Sequence, residues 1–215
     1  MLDINKIYEM EKEIKGNTLN IKEFSNGNTA LIVVDMVTGF VKEGVLSSPR
    51  IIDIIPSIAE LNEKTLGFNK VFFIDEHEEM SAEFDSYAKH CIKGTSEAKL
   101  IEELSQGATQ NKNTVFVSKN STNGFHAEGF KEWLTTNEAK IENYIVVGCE
   151  VDICVSHFAL TLKTYFNQKN LHRRIIVPSN SVETFDFGTH NGDLLKIVSL
   201  WEMKANGIEI VDEIL

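Results

Sequence analysis

Six short apolar runs limit what this chain can fold into. They are ALIVVD (30–35), KVFFID (70–75), TVFVSK (114–119), YIVVGC (144–149), RIIVPS (174–179) and IEIV (208–211). All are rich in β-branched residues and nearly continuous, the pattern of strands buried on both faces. Longer amphipathic stretches separate them. Their spacing predicts helices over 50–64, with Pro49 near the start, then 97–105, 124–135, 153–168 and 190–205, the last closed by Gly207. Over 153–168, Val155, Phe158, Ala159, Leu162 and Phe166 share one stripe, and Asp152 stands where an N-cap belongs. Strands alternating with helices imply parallel βαβ units. The expected fold class is therefore α/β: a three-layer α/β/α, Rossmann-like domain with a mainly parallel six-stranded sheet. It spans 29–215, with residues 1–28 an N-terminal extension packing on the body. A chain of 215 residues, 42% hydrophobic, suits one core of this kind.

Charge and composition exclude several classes. With 32 acids against 21 bases the formal net charge is −11, the wrong sign for a duplex-binding face, so no nucleic-acid partner is expected. The acids are dispersed, as a solvated surface requires. Three cysteines, an odd count, do not make a disulfide framework and fit a reducing compartment. The start, MLDINKIYEMEKEIKG, lacks the apolar core of a signal peptide, and no apolar run approaches membrane-spanning length. The expectation is a cytoplasmic protein without a membrane partner. After the first run comes DMVTGF, with no glycine fingerprint for a dinucleotide.

In parallel sheets, sites form beyond the carboxyl ends of the strands, where strand order reverses. The first run ends in Asp35, the second in Asp75 with His77 two residues on, the third in Lys119, and the fourth leads through a turn to Cys154. Cys154 falls in the first turn of the helix expected at 153–168, whose positive end favours thiolate. Asp35 could accept the thiol proton and Lys119 could stabilise the anion, an arrangement that needs no histidine. Singly, each residue has a plainer reading: a buried cysteine as a small hydrophobe, a strand-end turn aspartate, a solvated lysine. Their joint placement favours the catalytic one. Cys91 and Cys149 read as inert packing. In DEHEEMSAEFDSYAKHCIKGT (75–95), Asp75 and His77 point to one face, and Glu83 and His90 follow. Two imidazoles and two carboxylates suit a divalent Zn, Mn or Fe ion. Spacing alone leaves Glu76, Glu78, Glu79 and Asp85 as equal candidates. Of the other histidines, His157 reads as helix packing, His126 as a residue of the pocket rim, and His172 and His190 as surface or capping residues.

Together these motifs resemble the isochorismatase-like cysteine hydrolases, and within them the nicotinamidases, from about residue 28 onward. The family's first strand ends in Asp followed five residues later by Phe, here Asp35 and Phe40 in LIVVDMVTGF. Its lysine follows the third strand, here Lys119 in VFVSK, and its nucleophile motif G-x-x-T-D-x-C-V is matched by GCEVDICV, with Gly148 and Cys154. Nicotinamidases add D-x-H and H-C-x-x-G-T, here Asp75, His77 and His90, and in some members a Glu seven residues before the last His, here Glu83. The resemblance implies a catalytic set of Asp35, Lys119 and Cys154 and a divalent metal ion on Asp75, His77, Glu83 and His90. It implies that Phe40 and Tyr87 sandwich a ring whose nitrogen meets the metal. It also implies a cis peptide at Cys149–Glu150, turning the Glu150 N–H inward beside that of Cys154 as an oxyanion hole. The implied reaction is nicotinamide to nicotinate and ammonia through a thioester, a step of NAD salvage, by a homo-oligomer acting on a small-molecule amide. The rivals are an amidase of the same fold acting on a carbamoyl or ureido compound, vinyl-ether hydrolysis of the isochorismatase type, which the metal ligands disfavour, and a non-hydrolytic thiol binding module. Three departures stand out: Val151 replaces Thr, DMVTGF lacks the usual polar residues, and Glu150 stands where a small residue is frequent.

Overall fold

The strands form where the apolar runs lie, and they assemble in parallel. The computed structural model describes residues 4–215, so positions 1–3 of the expected extension lie outside the described residues. The strands are β1 (Thr29–Val34), β2 (Asn69–Asp75), β3 (Thr114–Lys119), β4 (Asn143–Cys149), β5 (Arg174–Pro178), β6 (Val182–Glu183) and β7 (Glu209–Val211). Their order is β3-β2-β1-β4-β5-β7, with β6 pairing parallel to β4. The sheet thus has seven strands where six were expected. β6 escaped notice because two residues carry no periodicity.

Alternation along each strand divides the core. Ala30, Ile32 and Val34 of β1 face one layer with Val71, Phe73, Tyr144 and Val146. That layer is covered by α6 (Glu128–Asn137), α7 (Ser156–Gln168) and α8 (Gly192–Ala205), through Phe130, Phe158, Phe166, Leu200 and Met203. Leu31, Val33, Phe72 and Val147 face the other layer. There they meet α2 (Thr38–Val41), α3 (Pro49–Ile52), α4 (Ile55–Lys64) and α5 (Glu102–Gln110). Every residue of β1 and β4 is buried, which is why those runs show no polar alternation. The first helix, α1 (Ile4–Ile14), lies against α8: the Trp201 indole N–H donates to Glu13, and Lys204 donates to the Glu13 carbonyl. No described helix is long and apolar enough to cross a membrane.

Four helix bounds differ from the periodicity, each for a local reason. The helix expected over 50–64 breaks after Ile52 and restarts at Ile55, because Pro56 has no N–H to donate back and its ring clashes with the preceding turn. The helix expected over 97–105 begins at Glu102 instead. Residues 96–99 make a turn closed by Lys99 N–H to Ser96 O (3.1 Å), and the segment is tied by Thr38 N–H to Lys99 O (2.9 Å) and Ile101 N–H to Met36 O (3.1 Å). The segment 124–135 divides into a short 3-10 turn and α6. The helix expected at 153–168 starts at Ser156, after a wide turn closed by Val155 N–H to Glu150 O (3.0 Å).

The close approach of β1 and β4 at their carboxyl ends demands a glycine. Gly148 pairs with Val34, has φ +117°, and an added Cβ would overlap the Val34 carbonyl. Gly94 has φ +82° with open space around it. Gly148→Ala should therefore cost about 3 kcal/mol or more in urea unfolding, and Gly94→Ala only about 1 kcal/mol. Equal losses would mean that backbone strain, not the β1–β4 contact, sets the requirement.

Candidate active site

Sheet order reverses between β1 and β4, with β2 and β3 on one side and β5 and β7 on the other. The carboxyl ends of β3, β2, β1 and β4 therefore share one rim at the switch point. Register does the rest: Asp75 pairs directly with Lys119 across β2 and β3, and Val34 with Gly148 across β1 and β4. Asp35, the residue after β1, turns off the strand with φ +53°, a left-handed conformation that aspartate tolerates better than most. A cavity of about 510 Å³ opens on this rim, and Phe40, Asp75, Glu83, Tyr87, His90, Glu150 and Cys154 are among its lining residues.

Behind the lining residues Asp75 and Cys154, the Lys119 ammonium is fully enclosed. It lies 2.8 Å from Asp35 Oδ2, 2.5 Å from Asp75 Oδ1 and 3.9 Å from Cys154 Sγ. Among the described residues, the Asp35 carboxylate has no hydrogen-bonding side chain against it besides Lys119 and the Cys154 thiol. Charge and burial compete here. Burial pushes Asp35 up to about 7 against the pull of Lys119. For Asp75 burial also pulls upward, but Lys119 and the two imidazoles outweigh it and hold the carboxyl well below the usual range. Burial opposes the charge on Lys119, yet the two carboxylates raise it well above an ordinary lysine. Burial pushes the Cys154 thiol far up, more than Lys119 pulls it down. Enclosure between carboxylates thus works against the thiolate that a helix end was expected to favour, and Cys154 lies ahead of α7 rather than in its first turn.

Beside this group, Asp75, His77, Glu83 and His90 converge, one ligand atom from each lying within 4.8 Å of the others. Asp75 Oδ2 is 2.9 Å from His77 Nε2 and 3.0 Å from His90 Nε2, and Glu83 Oε1 is 3.7 Å from His77 Nε2. The outer partners set the tautomers. His90 Nδ1 donates to the Ala88 carbonyl at 2.7 Å, and His77 Nδ1 faces Asn120 Oδ1 at 3.0 Å. Both Nε2 atoms are left facing the Asp75 carboxylate at the shared centre, where a divalent ion would take the place of the N–H contacts. The donor set therefore fits such an ion. Of the candidates left open by spacing, Glu78 and Glu79 instead hold Lys93 and Lys89 at the surface, and neither they nor Glu76 and Asp85 join the cluster.

Phe40 is buried with its ring 5.6 Å from that of His90, and half-buried Tyr87 lies 6.4 Å from it. Both line the cavity, as do Val45 to Pro49 from the segment 41–50. The Cys149–Glu150 peptide is cis. Cys149 and Cys91 are buried free thiols raised by burial, as packing residues should be.

Other positions depart from expectation. Asp152 caps no helix; its carboxylate accepts from the Thr184 hydroxyl at 2.5 Å and meets His190 Nε2 at 2.8 Å. His190 is accordingly neither a surface nor a capping residue, and its ring stacks on Phe185 at 3.8 Å. His157 is exposed and bonded to Thr122 rather than packed in the core, and His126 is exposed and outside the cavity lining. Sequence reasoning missed Asn120, Phe84 and Arg50. Phe84 sits edge-on between His77 and His90. Arg50 joins α3 to Glu183, Asp186 and Asp193. Only the adjacency of Asn120 to Lys119 carried a hint.

Comparison with known proteins places these features. The isochorismatase domain family matches residues 29–196. No curated protein sequence matches the chain. Among solved structures, the pyrazinamidase/nicotinamidase of Streptococcus mutans is similar with TM-score 0.72 and 23% identity, over 87% of this chain and 100% of that one. The pyrazinamidase of Pyrococcus horikoshii, in complex with zinc, gives TM-score 0.69 and 24% identity over 87% and 98%. The N-carbamoylsarcosine amidase of Thermoplasma acidophilum gives 0.66 and 22% over 86% and 96%. With the family match covering most of its length and the same fold in these neighbours, the chain belongs to the isochorismatase family of hydrolases.

Proposed function

We propose that the protein is a metal-assisted cysteine amidohydrolase whose reaction is the hydrolysis of nicotinamide to nicotinate and ammonia. Residues 29–215 make up the hydrolase domain and 1–28 an extension of it. One observation carries the reading: the Lys119 ammonium touches Asp35 and Asp75 and stands 3.9 Å from Cys154 Sγ, and Cys154 lines one cavity with Asp75, Glu83 and His90 of the four-residue cluster.

A divalent ion held by Asp75, His77, Glu83 and His90 would supply a Lewis-acidic point for a ring nitrogen, which a nicotinamide offers. Phe40 and Tyr87 flank the ring and hold it against sliding. Because Cys154 rests as the thiol, Asp35 removes its proton as the sulfur attacks the carboxamide carbon. The Glu150 and Cys154 backbone amides receive the oxyanion, each worth about 3 kcal/mol in the transition state. The protonated Asp35 then gives its proton to the departing ammonia, leaving the acyl group on Cys154 as a thioester. Asp35 next deprotonates water, which attacks the thioester; nicotinate leaves and the sulfur recovers its proton from Asp35. Lys119 stays charged throughout and holds the carboxylate oriented toward the sulfur.

A second reading, an amidase for a carbamoyl or ureido compound, draws support from the cavity. At about 510 Å³ it is in the range that takes a drug-sized ligand, more room than one pyridine carboxamide fills.

Ammonia release from a panel of amides tests the assignment. Nicotinamide should be among the turned-over substrates, and Cys154→Ala should remove turnover while preserving the melting temperature. Release at the wild-type rate by that variant would refute the nucleophile. Since the base must be ionised, kcat/KM should rise as pH increases through about 7, the value at which Asp35 loses its proton; a profile falling through that range contradicts the role. Asn120→Ala removes the partner of His77 Nδ1, so zinc affinity measured by competition with a chelator should weaken about 10- to 100-fold. Unchanged affinity would show that Asn120 does not orient His77 for the ion.

A further inference from the structure

The cavity has more room than the steps above use, and its two ends differ. At the buried end, Phe40 and Cys154 are each 5% exposed. At the outer end, Val45 is 69% and Phe187 80% exposed, beside half-buried Leu46 and Phe185. Single exposed apolar side chains are ordinary on a protein surface. These four come from two segments remote in sequence that nonetheless line one opening. Both segments are held by hydrogen bonds. Phe187 N–H donates to His190 O (3.1 Å) and His190 N–H to Phe187 O (2.9 Å), and the Phe185 ring stacks on that of His190. In the other segment Ser47 N–H donates to Gly44 O (3.4 Å) and Ser48 N–H to Phe40 O (3.0 Å). Arg50 ties the two together, donating from Nε to Thr184 O (3.0 Å) and from Nη1 to Asp186 Oδ2 (3.1 Å). Polar side chains of the lining are engaged within the protein: Ser47 Oγ donates to Gly44 O, Thr122 bonds His157, and Asp186 accepts from Arg50 and from the Gly192 N–H. The wall offered to a ligand is mainly apolar, and it is already in place.

We propose that Val45, Leu46, Phe185 and Phe187 form a second subsite, and that the preferred substrate is an amide whose ring carries an alkyl or aryl extension lying among them. The inference rests on the amidase reading and narrows its substrate class. With the carboxamide at Cys154 and the ring beside Phe40 and Tyr87, a substituent directed away from the buried end reaches the outer one, where these four side chains lie. Covering them removes apolar surface from water on both partners, which favours binding by about fourfold for each methylene buried. Because Arg50 already ties the two walls together, little of that gain is lost to ordering a loop.

Two series of nicotinamides test this, bearing methyl, propyl or phenyl groups meta or para to the carboxamide. The quantity to measure is the ratio of kcat/KM between each compound and nicotinamide itself, from which a general effect of a variant cancels. In the wild type at least one series should rise with size, the propyl compound exceeding nicotinamide about tenfold or more. Val45→Ser combined with Phe187→Ser, both at exposed positions, should bring that ratio down to about threefold or less. No rise in either series, or a rise that the double variant keeps in full, overturns the inference. Where no series rises and Phe187→Ser also lowers the molecular mass in solution, the inference is overturned in favour of an interface between copies of the chain. If the wild type releases ammonia from no amide, the amidase reading fails. Calorimetric binding of the same compounds to Cys154→Ala, with and without the serine substitutions, then decides the subsite separately. Affinity that grows with the substituent only while Val45 and Phe187 are present supports it, and affinity that does not grow overturns it.

Discussion

One buried ammonium organises this protein. Lys119 is 2% exposed, yet it carries its charge in the sheet's interior because two carboxylates reach it, Asp35 from β1 and Asp75 from β2. Burying such charges costs several kcal/mol per ion, and the cost is recovered only while all the partners are present. The same ammonium is the nearest cation to the Cys154 sulfur. Removing it would leave two carboxylates uncompensated within one small volume. Stability of the rim and reactivity of the thiol thus depend on a single residue.

The register of the sheet makes that meeting unavoidable. Asp75 and Lys119 are the last residues of adjacent parallel strands and are paired in the ladder, so their side chains leave the sheet side by side. The strand-order reversal between β1 and β4 brings Asp35 and the Cys149–Cys154 turn to the same place. The loop from β2 then folds back, bridging His77 to Ile92, which returns His90 to the Asp75 carboxylate. Asp75 belongs to both sets: one oxygen faces Lys119 and the other faces the two imidazoles. The base and the ligand cluster are in this sense one electrostatic unit.

What could be read from the residues follows from what is local. Continuous β-branched runs gave strands to within about a residue of their bounds, because burial on both faces leaves no other pattern. Residues at strand ends could be placed on one rim because parallel topology allows little else, and the ligand set came from matching motifs rather than from spacing, which left four other acids open. Long-range partners were invisible. Glu97 looks like the start of a helix, but its carboxylate accepts from the Cys91 N–H and its segment braces the loop at Thr38. Asp152 looks like an N-cap until Thr184 and His190, more than thirty residues away, claim it. The state of Cys154 depends on enclosure by residues from three other strands, which no helix-end argument contains.

The central claim is that Cys154, poised by Asp35 and Lys119, bonds covalently to the acyl group of an amide. Intact-protein and peptide mass spectrometry on enzyme quenched in acid during turnover of nicotinamide tests it directly. The account predicts a mass gain equal to the nicotinoyl group, carried by the peptide containing Cys154 and discharged by hydroxylamine. Steady ammonia release with no adduct on that peptide, under conditions where acylation outpaces hydrolysis, would contradict it.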